Sequence, residues 1–123
     1  MDKLQKAFNR LLEATKIDNP NELEIDGTIQ RFEFTYELVW KTLKIYLEEL
    51  GHQDTSSPKA VLKTAFKAQI ITDDQTWLAM FNDRNTLTHR YSDTDSRSIH
   101  RQITTKYITA IQDLINYLNN HSE

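Results

Sequence analysis

Between residues 23 and 50, Ile25, Ile29, Phe32, Tyr36, Val39, Leu43, Leu47 and Leu50 follow one another at steps of three or four. A strand exposes every second residue to one face, so it cannot gather these eight. An α-helix places them on one stripe. The segment therefore reads as one long helix, with Asp26 or Thr28 as the candidate N-cap and Gly51 as the stop. A second set, Phe34, Leu38 and Ile45, points roughly the opposite way and needs another helix or another subunit to cover it.

The rest of the chain follows the same period. Leu4, Ala7, Phe8, Leu11 and Leu12 define a first helix over residues 2–17, stopped by Asp18-Asn19-Pro20-Asn21. Ser57-Pro58 reads as N-cap and first helical residue of a short helix. That helix carries Val61, Leu62, Ala65 and Phe66 to about Gln69, and Ile70 and Ile71 tuck into the core. Thr72-Asp73-Asp74-Gln75 reads as a capping box for a fourth helix that buries Trp77, Leu78, Met80 and Phe81. After a turn at Ser92-Asp93-Thr94-Asp95, Ile99, Ile103, Tyr107, Ala110, Ile111, Leu114, Tyr117 and Leu118 give a last helix to about residue 119. Two glycines and two prolines in 123 residues leave few break points. The expected fold is all-α, an antiparallel up-and-down bundle of about five helices, in one domain over residues 1–123.

Composition narrows the function. With no cysteine, disulfides and thiolate metal sites are excluded, and a reducing compartment fits. No apolar run approaches a membrane span and the N-terminus has no signal-peptide pattern, so the expected location is the cytoplasm. A formal net charge of −3 argues against a protein that coats nucleic acid in bulk. The charge is uneven, however. Residues 84–106 hold Arg84, Arg90, Arg97, Arg101 and Lys106 against only Asp93 and Asp95. This stretch is either a solvated face or a local anion site.

Residues 83–91, Asp-Arg-Asn-Thr-Leu-Thr-His-Arg-Tyr, hold a fixed cation, an amide, a titratable imidazole and a phenol. On a wheel of about 100° per residue, Trp77 and Tyr91 fall about 20° either side of Arg84. Met80, Phe81 and Leu87 lie within about 60°. Arg84 thus occupies the middle of an apolar arc, where an unpaired charge is costly. Glu33, Glu37 or Asp83 is a possible internal partner. His89 falls about 140° from Arg84, on the side of Asn85, if the helix stays regular. A composite site then requires either distortion across Thr86-Leu87-Thr88 or a symmetry mate.

An arginine with a histidine suits metal-independent cleavage of RNA. Neutral imidazole takes the 2′-hydroxyl proton and imidazolium protonates the leaving oxygen. Guanidinium binds the phosphate and offsets transition-state charge. Arg84, His89 and Asn85 are the candidate catalytic residues, and Arg90, Arg97 and Arg101 the candidate substrate contacts. No cofactor and no metal is expected. There is no glycine-rich phosphate loop or H-E-x-x-H pair. Asp73-Asp74 is better explained as helix capping than as a Mg²⁺ site, and His52, His100 and His121 read as scattered surface positions. A Gly-Ser pair followed by spaced aspartates, which a nucleotidyltransferase needs, is missing.

Arg84-Asn85-x-x-x-His89-x-Tyr91 is similar to the R-x4-H-x-Y signature of the HEPN family of helical domains. Residues 32–44, Phe-Glu-Phe-Thr-Tyr-Glu-Leu-Val-Trp-Lys-Thr-Leu-Lys, resemble its branch of nucleotidyltransferase substrate-binding proteins. Ser57-Pro58-Lys59 and the lead-in from Trp77 to Asp83 fit the same branch, so the resemblance covers about residues 4–118. It implies a homodimer with the motif near the two-fold axis, and a minimal nucleotidyltransferase as partner. In the toxin–antitoxin members it implies an RNase toxin whose catalytic pair is here Arg84 and His89. The partner silences such a toxin by moving AMP onto the motif tyrosine, here Tyr91. The branch also implies the other reading, a non-catalytic subunit that binds nucleotide or substrate for the nucleotidyltransferase.

Overall fold

A computed structural model describes residues 1–89 and 93–121, with side chains described for all of these except residues 88, 89 and 93–95. The described residues form helices joined by short links: α1 (Asp2–Thr15), α2 (Glu22–Glu49), α3 (Pro58–Lys67), α4 (Asp74–His89), α5 (Asp93–Gln102) and α6 (Ile108–His121). A π-helical turn, Ile103–Tyr107, joins α5 to α6, so these three make one interrupted rod. The all-α bundle of five rods expected from the periodicity is what forms. Among the described residues no helix is long and apolar enough to cross a membrane.

The long helix α2 is the axis of the fold, packed against by α1, α3 and α5. Its stripe from Ile25 to Leu47 is buried throughout. Leu50, assigned to the same stripe from spacing, is 57% exposed, because it is the C-cap beyond the last turn. The start also differs from expectation. Asn21, rather than Asp26 or Thr28, caps α2. Its Oδ1 accepts from the Glu24 amide at 2.8 Å, and Glu24 Oε1 accepts from the Asn21 amide at 3.0 Å. Gly27 therefore lies inside the helix. Gly51 takes φ +95° and closes a Schellman motif, with the His52 amide donating to the Leu47 carbonyl at 3.0 Å.

Ser57 caps α3 as expected, its Oγ accepting from the Ala60 amide at 3.1 Å. The helix ends in a second Schellman motif with Gln69 at φ +61° in the position glycine usually fills. Ile70 and Ile71 then bury beneath the turn. Phe66 and Leu78, expected inside, are 40% and 56% exposed, since each lies at the edge of a stripe already filled by neighbours. Asp73, not Thr72, is the cap of α4, accepting from the Thr76 amide at 3.2 Å and the Thr76 hydroxyl at 2.6 Å.

The π turn has a cause in the sequence. Ile99, Ile103, Tyr107, Ile111 and Ile115 recur at steps of four, and all five are buried. In a regular α-helix each such step overshoots a full turn by about 40°, so Ile115 would end about 160° from Ile99. A wider turn brings the residues back onto one side. At its start the hydroxyls of Thr104 and Thr105 donate to the Arg101 carbonyl at 3.1 and 2.7 Å. At its end Tyr107 is 1% exposed and stacks on Phe32 with ring centres 5.6 Å apart.

Candidate functional site

Arg84 occupies the C-terminal half of α4 and faces α2. Its side chain is 27% exposed, at the edge of the core and not on the outer face. Trp77 and Met80 are buried and Phe81 is half-buried, so the apolar arc around Arg84 is present. Nη1 of Arg84 stands 3.9 Å from Oε2 of Glu33, whose side chain is 34% exposed. Of the three carboxylates that the sequence left open, Glu33 is the one at ion-pair distance. The pair is long and both side chains reach water, so this contact by itself is weak.

One turn further along α2 lies Tyr36, 2% exposed. Its hydroxyl has no hydrogen-bond partner among the described residues. Burial pushes this phenol well above its usual range; the nearby Arg84 charge pulls the other way, and Glu37 adds to the rise. Tyr36 is therefore a neutral phenol at physiological pH. Sequence spacing placed it in the core and gave no sign that it borders Arg84.

On the residue before Arg84 in α4, Asp83 accepts a short hydrogen bond from the Tyr107 hydroxyl. Burial, and after it the bond and charge of Asp83, push the Tyr107 phenol well above its ordinary range. This tie joins α4 to the π turn, and nothing in the spacing of either helix signalled it. Arg84 is thus flanked by α2 through Glu33 and Tyr36 and by the last rod through its neighbour Asp83.

Asn85 is exposed on the adjoining face of α4. The helix continues without distortion through His89, so positions 84 and 89 lie about 140° apart around its axis. Of the two ways to bring Arg84 and His89 together, distortion across Thr86-Leu87-Thr88 does not occur. The side chain of His89, the substrate candidate Arg90 and the modification candidate Tyr91 lie outside the described residues.

Arg97 and Arg101 are exposed on α5 one turn apart, with His100 half-buried between them. His100 is no scattered surface histidine. It lines a cleft with both arginines, which gives this stretch of α5 a concave basic surface. His52 is half-buried, and His121 is exposed but stacked on Tyr117 with ring centres 3.9 Å apart. A separate cleft of about 620 Å³ lies between the turn before α4 and the last rod, lined by Asp73, Trp77, Lys106 and Tyr117 among others; Arg84 does not line it.

The bundle has close counterparts. A crystal structure of a protein from Thermus thermophilus superposes with a TM-score of 0.85 at 32% identity, over 94% of this chain and 98% of that one. A protein of Haemophilus influenzae described as a probable ribonuclease HepT is 32% identical over 83 residues. That alignment takes in 64% of this chain and 57% of the relative, so the chain spans just over half the length of the curated relative it matches. The family model described as nucleotidyltransferase substrate binding protein like matches residues 1–120. With nearly every residue inside that match, the chain belongs to the nucleotidyltransferase substrate-binding-protein-like family of HEPN-type helical domains.

Proposed function

We propose that this chain is a metal-independent endoribonuclease of the HEPN type, a toxin neutralised by a cognate minimal nucleotidyltransferase. The observation that carries the reading is the placement of Arg84. A partly exposed guanidinium sits at the edge of the core, beside Glu33 and bordered by a buried neutral phenol, in the helix that also carries His89. A guanidinium that is 27% exposed at that edge can meet an incoming phosphodiester. The likeness to a protein described as a probable ribonuclease agrees with this.

In the proposed reaction His89 removes the 2′-hydroxyl proton, the 2′-oxygen attacks phosphorus, and the bond to the 5′-oxygen breaks. That oxygen takes a proton from imidazolium, leaving a 2′,3′-cyclic phosphate and a 5′-hydroxyl. Arg84 neutralises the charge that builds on the non-bridging oxygens, and Asn85 adds a neutral donor. Because positions 84 and 89 diverge on one continuous helix, two copies of the chain complete the site between them. The exposed apolar side chains of Phe34 and Ile45 on α2 support a homodimer. Silencing by the partner would move AMP from ATP onto the Tyr91 hydroxyl with release of pyrophosphate. The adduct would set a phosphate and a nucleoside within the motif and block the substrate.

The test is incubation of the purified protein with RNA in chelator, beside Arg84→Ala and His89→Ala. Cleavage by the wild type alone is expected. Equal cleavage by all three proteins, or by none, removes the reading. The family description favours a second one, a non-catalytic subunit that binds nucleotide or substrate for a nucleotidyltransferase. Copurification with a small nucleotidyltransferase and Arg84-dependent nucleotide binding, with no RNA cleavage, would establish it instead.

A further inference from the structure

The link between α1 and α2 turns sharply at Asn19, which adopts φ +46°, and Pro20 follows. This turn stands over α5 and encloses an open cleft of about 520 Å³. Asn19, Ile25, Arg97, His100, Arg101 and Thr104 line it. Two arginines line the cleft, and among the described residues no carboxylate does. Neither arginine forms an ion pair among the described residues. On its far side Arg97 borders a small hollow with Glu22 and Asp26, so these two acidic groups lie behind it.

The cleft has a fixed floor. The Arg101 carbonyl is held by the Thr104 and Thr105 hydroxyls at the start of the π turn. Ile25, 3% exposed, anchors the opposite wall in the core. His100 loses proton affinity through burial and, after that, through the charge of Arg97. An imidazole that is neutral beside two cations can donate one N–H without adding to their repulsion. Such a group of donors fits an anion with several oxygens in one plane or tetrahedron.

We propose that this cleft binds a backbone phosphate of a single-stranded nucleic acid, as a subsite separate from Arg84. The identity of the strand as RNA rests on the ribonuclease reading; the phosphate chemistry does not. The placement suits a strand that also reaches the motif. Ile25 at the cleft and Glu33 beside Arg84 are eight residues apart on α2, roughly 12 Å along its axis. A short run of nucleotides covers that distance. The subsite would hold the strand while Arg84 engages the phosphate to be cut. It also explains how an acidic protein can grip a polyanion: the field is local.

The experiment measures binding of a short single-stranded DNA, which lacks the 2′-hydroxyl and cannot be cut by this chemistry, over a range of salt. Wild type, Arg97→Gln/Arg101→Gln, Arg97→Lys/Arg101→Lys and Arg84→Ala are compared, each checked for helicity. The glutamine pair should bind roughly tenfold more weakly, with the salt slope reduced by about 0.7 or more. The lysine pair should keep most of that slope. Equal affinity and slope for wild type and the glutamine pair would overturn the proposal, whatever RNA cleavage shows. So would titration of the His100 resonance by inorganic phosphate with no difference in strand binding, which would mark a small-anion site. If the glutamine pair loses binding while no protein cleaves RNA, the subsite stands and the ribonuclease reading fails.

Discussion

The Tyr107 hydroxyl donates to the Asp83 carboxylate, and so couples the π turn of the last rod to the residue before Arg84. The phenol is buried and its acceptor is charged and half-buried. A bond of this kind contributes about 1.5–3 kcal/mol, less where the acceptor can reach water. Tyr107→Phe should therefore destabilise the fold by about 1–2 kcal/mol, read as a lowered urea midpoint at unchanged m-value. Asp83→Asn keeps an acceptor and should cost less. An unaltered midpoint for Tyr107→Phe would show that the contact carries no net energy.

Tyr36 makes the opposite case. Its hydroxyl is buried without a partner among the described residues, so deleting that oxygen removes a desolvated group and no bond. Tyr36→Phe should leave stability within about 0.5 kcal/mol of wild type or raise it. The two phenols also set the alkaline limit. Both have raised proton affinity in the folded chain, mainly through burial. Their contribution is complete below about pH 10, the unfolded value, and is lost as pH rises above it, because the unfolded chain then releases protons that the fold retains. Urea midpoints should fall above that pH, and Tyr36→Phe should flatten the fall. A pH-independent midpoint into the strongly alkaline range would contradict this.

Glu33 and Arg84 are both about a third exposed or less and are separated by 3.9 Å. A pair so long and wet adds under about 1 kcal/mol to stability. Glu33→Gln should thus unfold at nearly the wild-type midpoint. Under the proposed function it should still lower RNA cleavage, because the guanidinium loses its orienting carboxylate. Arg84→Lys keeps the charge but not the fork, and should cleave at least about tenfold more slowly. A Glu33→Gln protein that is markedly unstable, with cleavage intact per folded molecule, would make Glu33 a structural partner only.

The helices were legible because burial in this fold is one-sided and the period of 3.6 fixes a stripe. From Leu4 to Leu118 the spacing picked most of the buried residues. It failed at stripe edges, Leu50, Phe66 and Leu78, where a wheel cannot say how wide the covering neighbour is. The π turn did leave a trace in the four-residue steps from Ile99 to Ile115, a period too long for an α-helix. At the site, the apolar arc around Arg84 was readable from one helix, while the choice among Glu33, Glu37 and Asp83 stayed open until α2 and α4 were placed together. The Tyr36 border, the Asp83–Tyr107 tie and the cleft over His100 were not, since each joins helices far apart in sequence.

Gln69 carries left-handed backbone at φ +61° to close α3, and a side chain there costs about 1 kcal/mol relative to glycine. Gln69→Gly should stabilise the fold by about 0.5–1 kcal/mol, the greater freedom of glycine in the unfolded chain offsetting part of the relief. The Schellman bonds from Gln69 and Ile70 to the Phe66 and Ala65 carbonyls do not involve the side chain and should survive. Gln69→Ala, which relieves nothing, serves as the control; equal midpoints for the two variants would show that the turn is not strained.

On α2 the outward set is Phe34, 61% exposed, Leu38, half-buried, and Ile45, 58% exposed. Phe34 stands at the rim of a hollow of about 450 Å³ that Gly27 and Ala7 help to keep open. Among the described residues no element of the same chain covers Phe34 or Ile45. An exposed phenylalanine beside a hollow suits reciprocal insertion by a second copy, with each Phe34 entering the other's hollow across a two-fold axis. Light scattering should accordingly report twice the chain mass of 14.5 kDa. Phe34→Glu would place a carboxylate in that contact and should yield monomers of unchanged helicity. If two copies complete the site, those monomers should also lose RNA cleavage, while their binding of single-stranded DNA at Arg97 and Arg101 weakens much less. A wild type that stays monomeric, or a Phe34→Glu protein that stays dimeric, would move the interface elsewhere and leave the divergence of positions 84 and 89 without its explanation.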